Sequence, residues 1–325
     1  MKAGEIRGVE TPLLIRTALI DETPGPFCMS FGFSIDALKD SIKKTGLINP
    51  LIITKNSNNK YIIVAGYRRL MAIKHLRIQD SYCIDVSESG RSPRDLLLLN
   101  FYDNLSTRVF NDVEKGMILN RLSAHFSQDE LKKDFMPLLK IGNSNDLDLF
   151  LKIGTLDNHI KYALTNGAVS LKTLRLLLTL DEESREALCS LIESIKINSK
   201  YQYYLTEYLI DISQIEKKSI RDILGEEQHG AILNDKKANN PQKSKKLLRL
   251  IWSRRYPNLS NSIKQFKKGI ARLNLPGKIK IDFLSYFEAP DYRLEILFRD
   301  GEELVEDIEF LLGMKEKIRV IKDPW

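Results

Sequence analysis

Tyr61-Ile62-Ile63-Val64-Ala65-Gly66-Tyr67-Arg68-Arg69-Leu70-Met71-Ala72 changes character at its glycine. Before Gly66 lies a β-branched apolar run, which predicts a buried strand. After it, Leu70, Ile73 and Leu76 recur at helical spacing. A strand that passes into a helix through one glycine leaves the first-turn N–H groups free to bind an anion. Arg68 and Arg69 stand in that turn, and a guanidinium fork suits phosphate oxygens. Spacing alone supports two readings equally, a phosphate-binding turn and an exposed arginine pair at a helix start.

Working outward, Ser34 is placed to cap a helix whose apolar face holds Ile35, Leu38 and Ile42. Gly46 ends that helix in the position of a left-handed cap. Leu51-Ile52-Ile53 predicts a short buried strand entered through Pro50, where the missing N–H costs little. Asn58-Asn59 makes the turn into the strand before Gly66. Helix, strand, hairpin turn, strand and helix form a compact α/β unit. Residues 1–33 carry little pattern beyond a loop at Thr23-Pro24-Gly25-Pro26. Downstream, Asp95 to Glu114 begins as an apolar helix and ends polar. Asp103 and Asn104 leave it together with oxygens suited to magnesium. Taken alone, they read rather as a helix C-terminus followed by the cap of the next helix.

Composition bounds the classes. The 325 residues, 43% of them hydrophobic, suffice for two or three domains. No apolar run reaches membrane-spanning length, and the N-terminus has no signal-peptide core, so a cytoplasmic protein is expected. Cys28, Cys83 and Cys189 are an odd, scattered set and predict no disulfide framework. No Cys or His pair has zinc-ligand spacing, and His75, His125, His159 and His229 read as surface or core. The net charge of +7 is uneven. Residues 236–280 hold fourteen Lys and Arg and no Asp or Glu, whereas residues 281–325 hold six basic and twelve acidic residues. A polyanionic partner is expected for the basic segment.

The spacing of three boxes resembles the ParB family of chromosome- and plasmid-partitioning proteins. Gly46-Leu47-Ile48-Asn49-Pro50 stands where that family has G-x-x-Q-P. Gly66-Tyr67-Arg68-Arg69-Leu70-Met71-Ala72 stands where it has G-E-R-R-x-R-A. Asp103-Asn104-Leu105-Ser106-Thr107 stands where it has E-N-x-Q-R, followed by the family-like Asn111-Asp112-Val113-Glu114. The resemblance implies CTP and Mg2+ as ligands. Gly46, Asn49, Pro50, Gly66, Tyr67, Arg68, Arg69 and Asn104 would bind the nucleotide. Asp103 and Asn104 would hold the metal, with Asp103 serving hydrolysis. Tyr67 replaces an acid, Met71 replaces an arginine, and Asp103 is one methylene shorter than Glu. These departures bear on nucleotide choice and on any weak CTPase-like activity. The same fold serves sulfiredoxin, which needs a cysteine in the second-box turn, where this chain has Tyr67 and no cysteine, and a free-serine kinase.

Residues 116–230 read as nearly all helix. Ser127-Gln128-Asp129-Glu130 is a capping box whose helix reaches Pro137 and Leu138. Gly142-Asn143-Ser144 turns into a helix from Asp146 to Ile153, which is helix-turn-helix spacing. The family's DNA-reading helix falls here, making Asn143, Ser144, Asn145 and Lys152 candidate DNA contacts. Two carboxylates, Asp146 and Asp148, would repel phosphates there. A helical spacer without a DNA site is the alternative. Residues 234–246 read as a flexible linker. Ser260 then caps a helix with Lys264, Lys267, Lys268 and Arg272 on its polar side, either a DNA backbone face or a solvated surface.

Ile279, Ile281 and Phe283 alternate, as do Leu294, Ile296 and Phe298, around a turn at Glu288-Ala289-Pro290-Asp291. A last helix bears Leu304, Ile308 and Leu311 behind Asp300 and Glu303. A hairpin with one helix is too small to stand alone, and the tail resembles the ParB dimerisation domain.

The expected architecture is therefore multidomain α+β. A ParB/sulfiredoxin-like α/β domain spans 1–115 and a helix-turn-helix-like domain 116–233. A linker spans 234–246 and a dimerisation domain 247–325. The expected function is a dimeric, nucleoid-associated, nucleotide-gated DNA clamp acting in partitioning, with a ParA-like ATPase as further partner. A small-molecule kinase or nucleotide hydrolase would show fast turnover without DNA. A structural dimer with a degenerate site would bind no nucleotide.

Overall fold

A computed structural model describes residues 11–283 and 292–319, which fall into two compact units parting between Ser194 and Ile195. The architecture is the expected mixed α+β, mostly helical with small sheets.

In the first unit, β1 (Leu13–Arg16) leads through a 3-10 turn to α1 (Asp36–Thr45), β2 (Leu51–Lys55), β3 (Tyr61–Ala65), α2 (Tyr67–His75) and β4 (Asp80–Asp85). The sheet order is β1-β4-β2-β3. β2 and β3 form an antiparallel hairpin whose turn holds Asn59 at φ 57°. After α2 the chain returns as β4, parallel to β2, and β1 pairs antiparallel with β4. Leu51, Ile53, Ile63, Leu70, Ile73 and Cys83 share one buried core with Ile42 of α1, while Ile35 and Leu38 are partly buried against it. The strand–glycine–helix reading holds at every step. Ser34 Oγ accepts from the N–H of Asp36, so it serves the start of α1 although the helix opens two residues on. Gly46 has the expected positive φ of 74°, but its ψ of −177° is a conformation reserved for glycine rather than a left-handed cap.

α3 (Pro93–Thr107) and α4 (Asp112–Leu122) each open on a reciprocal capping box, Ser92 with Asp95 and Asn111 with Glu114. The helix opened by Ser127 is shorter than expected. α5 (Gln128–Glu130) passes into a π-helical turn, Leu131–Phe135. A 3-10 turn, Ser144–Asp146, leads into α6 (Leu147–Thr155), followed by α7 (Asn158–Thr165), α8 (Leu171–Leu177) and α9 (Glu182–Ser194). The expected boundary at 115/116 is not a break in packing. Phe101 of α3 meets Phe110 and Phe135 at 6.3 and 5.7 Å, and Arg121 of α4 donates to the carbonyl of Pro26. Sheet and following helices share aromatic and polar contacts, so they form one unit.

The second unit holds α10 (Ser199–Glu216), α11 (Ile220–Leu224), α12 (Glu227–Leu233), α13 (Asn240–Arg255), α14 (Pro257–Leu273), β5 (Ile279–Phe283), β6 (Tyr292–Ile296), α15 (Gly301–Gly313) and α16 (Lys315–Ile318). The expected linker is corrected here. Asn239 caps α13 in a box with Gln242, Pro241 sits in its first turn, and Leu247 and Ile251 are buried. A polar composition had hidden a helix start, because its apolar positions come only after residue 246. β5 and β6 pair as the alternation predicts, Ile279 opposite Ile296 and Ile281 opposite Leu294. Phe298 lies past the end of β6, and the turn at 288–291 lies outside the described residues.

α4 crosses α6 through two glycines. A Cβ on Gly154 would stand 2.6 Å from the carbonyl oxygen of Gly116, and one on Gly116 the same distance from that of Phe150. Gly→Ala inside a helix ordinarily stabilises by about 0.5–1 kcal/mol. Here the added methyl meets backbone that cannot turn aside. Gly154→Ala is therefore expected to destabilise by about 1–3 kcal/mol, the usual cost of overpacking. Urea unfolding of the full chain checks the sign, and a stabilised variant would refute the close crossing.

Candidate functional site

The turn at Gly66 opens α2 with φ 96° and ψ 24°. A Cβ there would lie 3.0 Å from Leu51 Cδ2 and 3.1 Å from the Arg69 guanidinium, so both backbone and space require glycine. The first intrahelical bond runs from Leu70 to Gly66, which leaves the amides of Tyr67, Arg68 and Arg69 ahead of it without helical acceptors. They border a cavity of about 270 Å³. Of the residues expected at a nucleotide or metal, Asn49, Gly66, Tyr67, Arg68, Arg69, Asp103 and Asn104 line it. Gly46 and Pro50 do not. Gly46 shapes the end of α1, and Pro50 offers its carbonyl to Arg69.

Arg69 is held by three groups. Its Nη1 donates to the carbonyls of Asn49 (2.8 Å) and Pro50 (2.9 Å), and its Nη2 lies 3.5 Å from Asp103 Oδ2. The first and third boxes are thus tied by an arginine of the second. Burial lowers the Arg69 pKa and Asp103 opposes that shift; the guanidinium stays charged at any physiological pH.

Glu114 sits behind the cavity with none of its surface exposed. Four donors converge on its carboxylate. Oε1 accepts from Arg68 Nη2 (2.7 Å) and the Phe31 amide (3.1 Å); Oε2 accepts from Arg108 Nη1 (2.7 Å) and the Asn111 amide (3.1 Å). Such full satisfaction is what makes a buried carboxylate tolerable. Arg68 uses one end on Glu114 and stacks over Phe33 at 4.9 Å. Its Nε is buried and has no hydrogen-bond partner among the described residues.

Arg108, which the sequence reading passed over, also lines the cavity. Its Nε donates to Asn104 Oδ1 at 2.7 Å, and burial lowers its pKa against the pull of Glu114. The oxygen expected to face a metal from Asn104 is therefore turned to a guanidinium, while its Nδ2 donates to the Asn100 carbonyl. Asp103 is the carboxylate in the lining. An arginine directly after the third box was a visible signal; its pairing with Glu114 was not.

The helix-turn-helix candidates separate. Ser144, Asn145 and Lys152 are exposed. Asn143 spends its side-chain oxygen on the Asn145 amide. Asp146 is not a free carboxylate, because Arg175 of α8 grips it with two bonds of 2.9 and 3.1 Å. That leaves Asp148 as the exposed acid of α6. In the second unit, Lys264, Lys267, Lys268 and Arg272 all stand exposed on α14, without an ion pair among the described residues. Other cations of the basic segment are consumed internally. Arg254 binds Glu216 and Glu226, holding the Glu226 carboxyl down to about 2, Arg255 binds Asp211, and Lys278 binds Glu303 and Asp307.

Residues 32–90 match the family model of the ParB N-terminal domain. The chain is 29% identical over 191 residues to the probable chromosome-partitioning protein ParB of Campylobacter jejuni, covering 54% of this chain and 62% of that one. It is 26% identical over 185 residues to the Helicobacter pylori protein of the same description, covering 55% and 61%. The chain thus spans less than two thirds of the length of these relatives. Among solved structures, it overlays on C-terminally truncated ParB from Caulobacter crescentus complexed to the centromeric parS site, at 12% identity and a TM-score of 0.33, over 60% of this chain and 98% of that one. The same protein complexed with CTP-gamma-S overlays at 13% identity and a TM-score of 0.27, over 60% and 92%.

Proposed function

We propose that this chain is a dimeric DNA-binding protein of the ParB kind whose Gly66 cavity takes a nucleoside triphosphate, CTP by family likeness, and biases a clamp around DNA. The observation that carries the nucleotide reading is the cavity's charge. Three arginines, Arg68, Arg69 and Arg108, line it against one lining carboxylate, Asp103. A phosphate chain supplies acceptors for the open α2 amides and counter-charge for the lining arginines. Asp103 is the oxygen donor that fits a magnesium ion held jointly with phosphates. As arranged, Asn104 does not offer its oxygen. Any hydrolysis would fall to Asp103. Among the described residues no helix is long and apolar enough to cross a membrane, and a cytoplasmic place on the nucleoid follows from the proposed role. A ParA-like ATPase is the further partner that role implies.

DNA affinity is assigned mainly to α14. Its four unpaired cations recur at positions i, i+3, i+4 and i+8, so they share one face. Self-association is assigned to the C-terminal hairpin and α15. Leu294, Leu297, Phe298, Val305, Ile308, Phe310 and Leu312 are each at least 42% exposed there, a density of apolar surface that marks an interface.

Three measurements test this reading. Arg69→Ala is expected to weaken CTP binding at least tenfold, since a charge-assisted contact contributes roughly 1.5–3 kcal/mol. Calorimetry with equal affinities for parent and variant would overturn it. Neutralising Lys264, Lys267, Lys268 and Arg272 together should flatten the log–log salt dependence of DNA binding by roughly three to four units, about 0.9 per phosphate contact. The loss should be alike on all sequences, because phosphate contacts carry no base information. An unchanged slope would show α14 to be merely solvated. Phe298→Asp should convert a dimer to a monomer in light scattering of the full chain, and a persisting dimer would place the interface elsewhere.

A further inference from the structure

Away from the Gly66 cavity, α7 and α9 bring together a histidine, a cysteine and two glutamates. His159 lies in the first turn of α7. Glu186, Cys189 and Glu193 recur on α9 at positions i, i+3 and i+7, so they share one face. The imidazole is gripped at both nitrogens, Nδ1 by Glu186 at 2.8 Å and Nε2 by Glu193 at 2.6 Å. The ligand atoms of His159, Cys189 and Glu193 all lie within 4.8 Å of one another. Cys189 is completely buried and its thiol makes no hydrogen bond among the described residues.

We propose that His159, Cys189 and Glu193 form a binding site for a divalent cation of the zinc class, with Glu186 orienting the imidazole. A bridged imidazolium alone would explain the two glutamates but not the thiol beneath them. Thiolate, imidazole and carboxylate together are the donor set of a borderline-soft cation such as Zn2+, and are poorly suited to magnesium or calcium. Bonds of about 2.0–2.3 Å to a tetrahedral ion place donors about 3.5 Å apart. The cation would part Nε2 and the Glu193 oxygen from 2.6 Å by roughly 1 Å, within the reach of side-chain rotation at Glu193, while donors up to 4.8 Å apart close by about as much. A metal-bound histidine ordinarily donates its other N–H to a carboxylate, which is the bond Glu186 already makes. The half-exposed side of the ring leaves the fourth position to water.

The exchange balances. Burial works against charge on His159, yet its bonds to Glu193 and Glu186 raise its pKa, and burial pushes the Cys189 thiol up to about 12. Starting from imidazolium and thiol, the proton between Nε2 and Glu193 and the proton of Cys189 leave to solvent as the dication enters. The net charge of the cluster is the same before and after. The high thiol pKa is no obstacle in kind, since a coordinating thiol is deprotonated outright by the metal.

The test uses the full chain, stripped with chelator and titrated with Co2+ and then Zn2+ as the only additions. One equivalent of Co2+ should raise a near-ultraviolet thiolate-to-metal charge-transfer band that Zn2+ abolishes. Cys189→Ser should remove the band, although Cys28 and Cys83 remain. His159→Gln changes an exposed ring and should fold normally, yet weaken Zn2+ at least tenfold. Glu186→Gln should weaken it by about 10–100-fold without changing the stoichiometry. Absence of the band in the parent chain, its survival in Cys189→Ser, or parental Zn2+ affinity in His159→Gln would each overturn the site and leave an ion-paired surface cluster.

Discussion

One buried carboxylate holds the first unit's functional end together. Glu114 takes four donors from four separate stretches: the loop at Phe31, the first turn of α2, the end of α3 and the cap of α4. A buried charge is costly unless every lone pair is engaged, so these stretches are obliged to meet wherever Glu114 goes. Removing any one donor leaves a lone pair of this carboxylate unengaged in the interior. The same constraint explains why Arg68 is aimed across the cavity floor, since one of its nitrogens is committed behind the site. Its Nε is buried and has no hydrogen-bond partner among the described residues.

Arg69 makes the complementary tie on the other side. It joins the backbone before β2 to the end of α3, so the three sequence boxes are welded by guanidinium bonds before any ligand is considered. The site is thereby pre-organised on a helix start and a helix end rather than on free loops. Pre-organisation lowers the ordering cost that binding must otherwise overcome.

The sequence made the local parts legible and the distant ones not. The strand, Gly66 and α2 were readable because apolar period and glycine agree within a dozen residues. The Asn111 to Glu114 cap was readable for the same reason. β4 was not, because its inward positions are Ser81 and Cys83 while Tyr82 points out, the reverse of a hydrophobic alternation. β1 was hidden likewise, with Leu13 and Leu14 more than half exposed. In the site, seven lining residues could be named from the three boxes, but Thr107 of the third box and Arg108 beside it were not. The Arg68–Glu114 pair, 46 residues apart, could not, since no pattern in one chain announces which buried charge meets which. The grip of Arg175 on Asp146 was out of reach for the same reason.

The charge count shows how far a linear reading can be taken. A stretch with fourteen cations and no acid looks like a uniform polyanion surface. Folding sorts it. Arg254, Arg255, Lys246 and Lys278 turn to acids that lie outside the stretch, at Glu216, Glu226, Asp211, Asp235, Glu303 and Asp307. Partly buried pairs of this sort hold helices together and offer nothing to a phosphate. The cations of α14 escape because the helix turns Phe266 and Leu273 inward and its basic face outward, without an ion pair among the described residues. The basic segment therefore combines an ionic fastening of the second unit with exposed cations, those of α14 gathered on one helical face. The paired cations are spent within the fold, so the segment's reach is set by geometry rather than by its total charge.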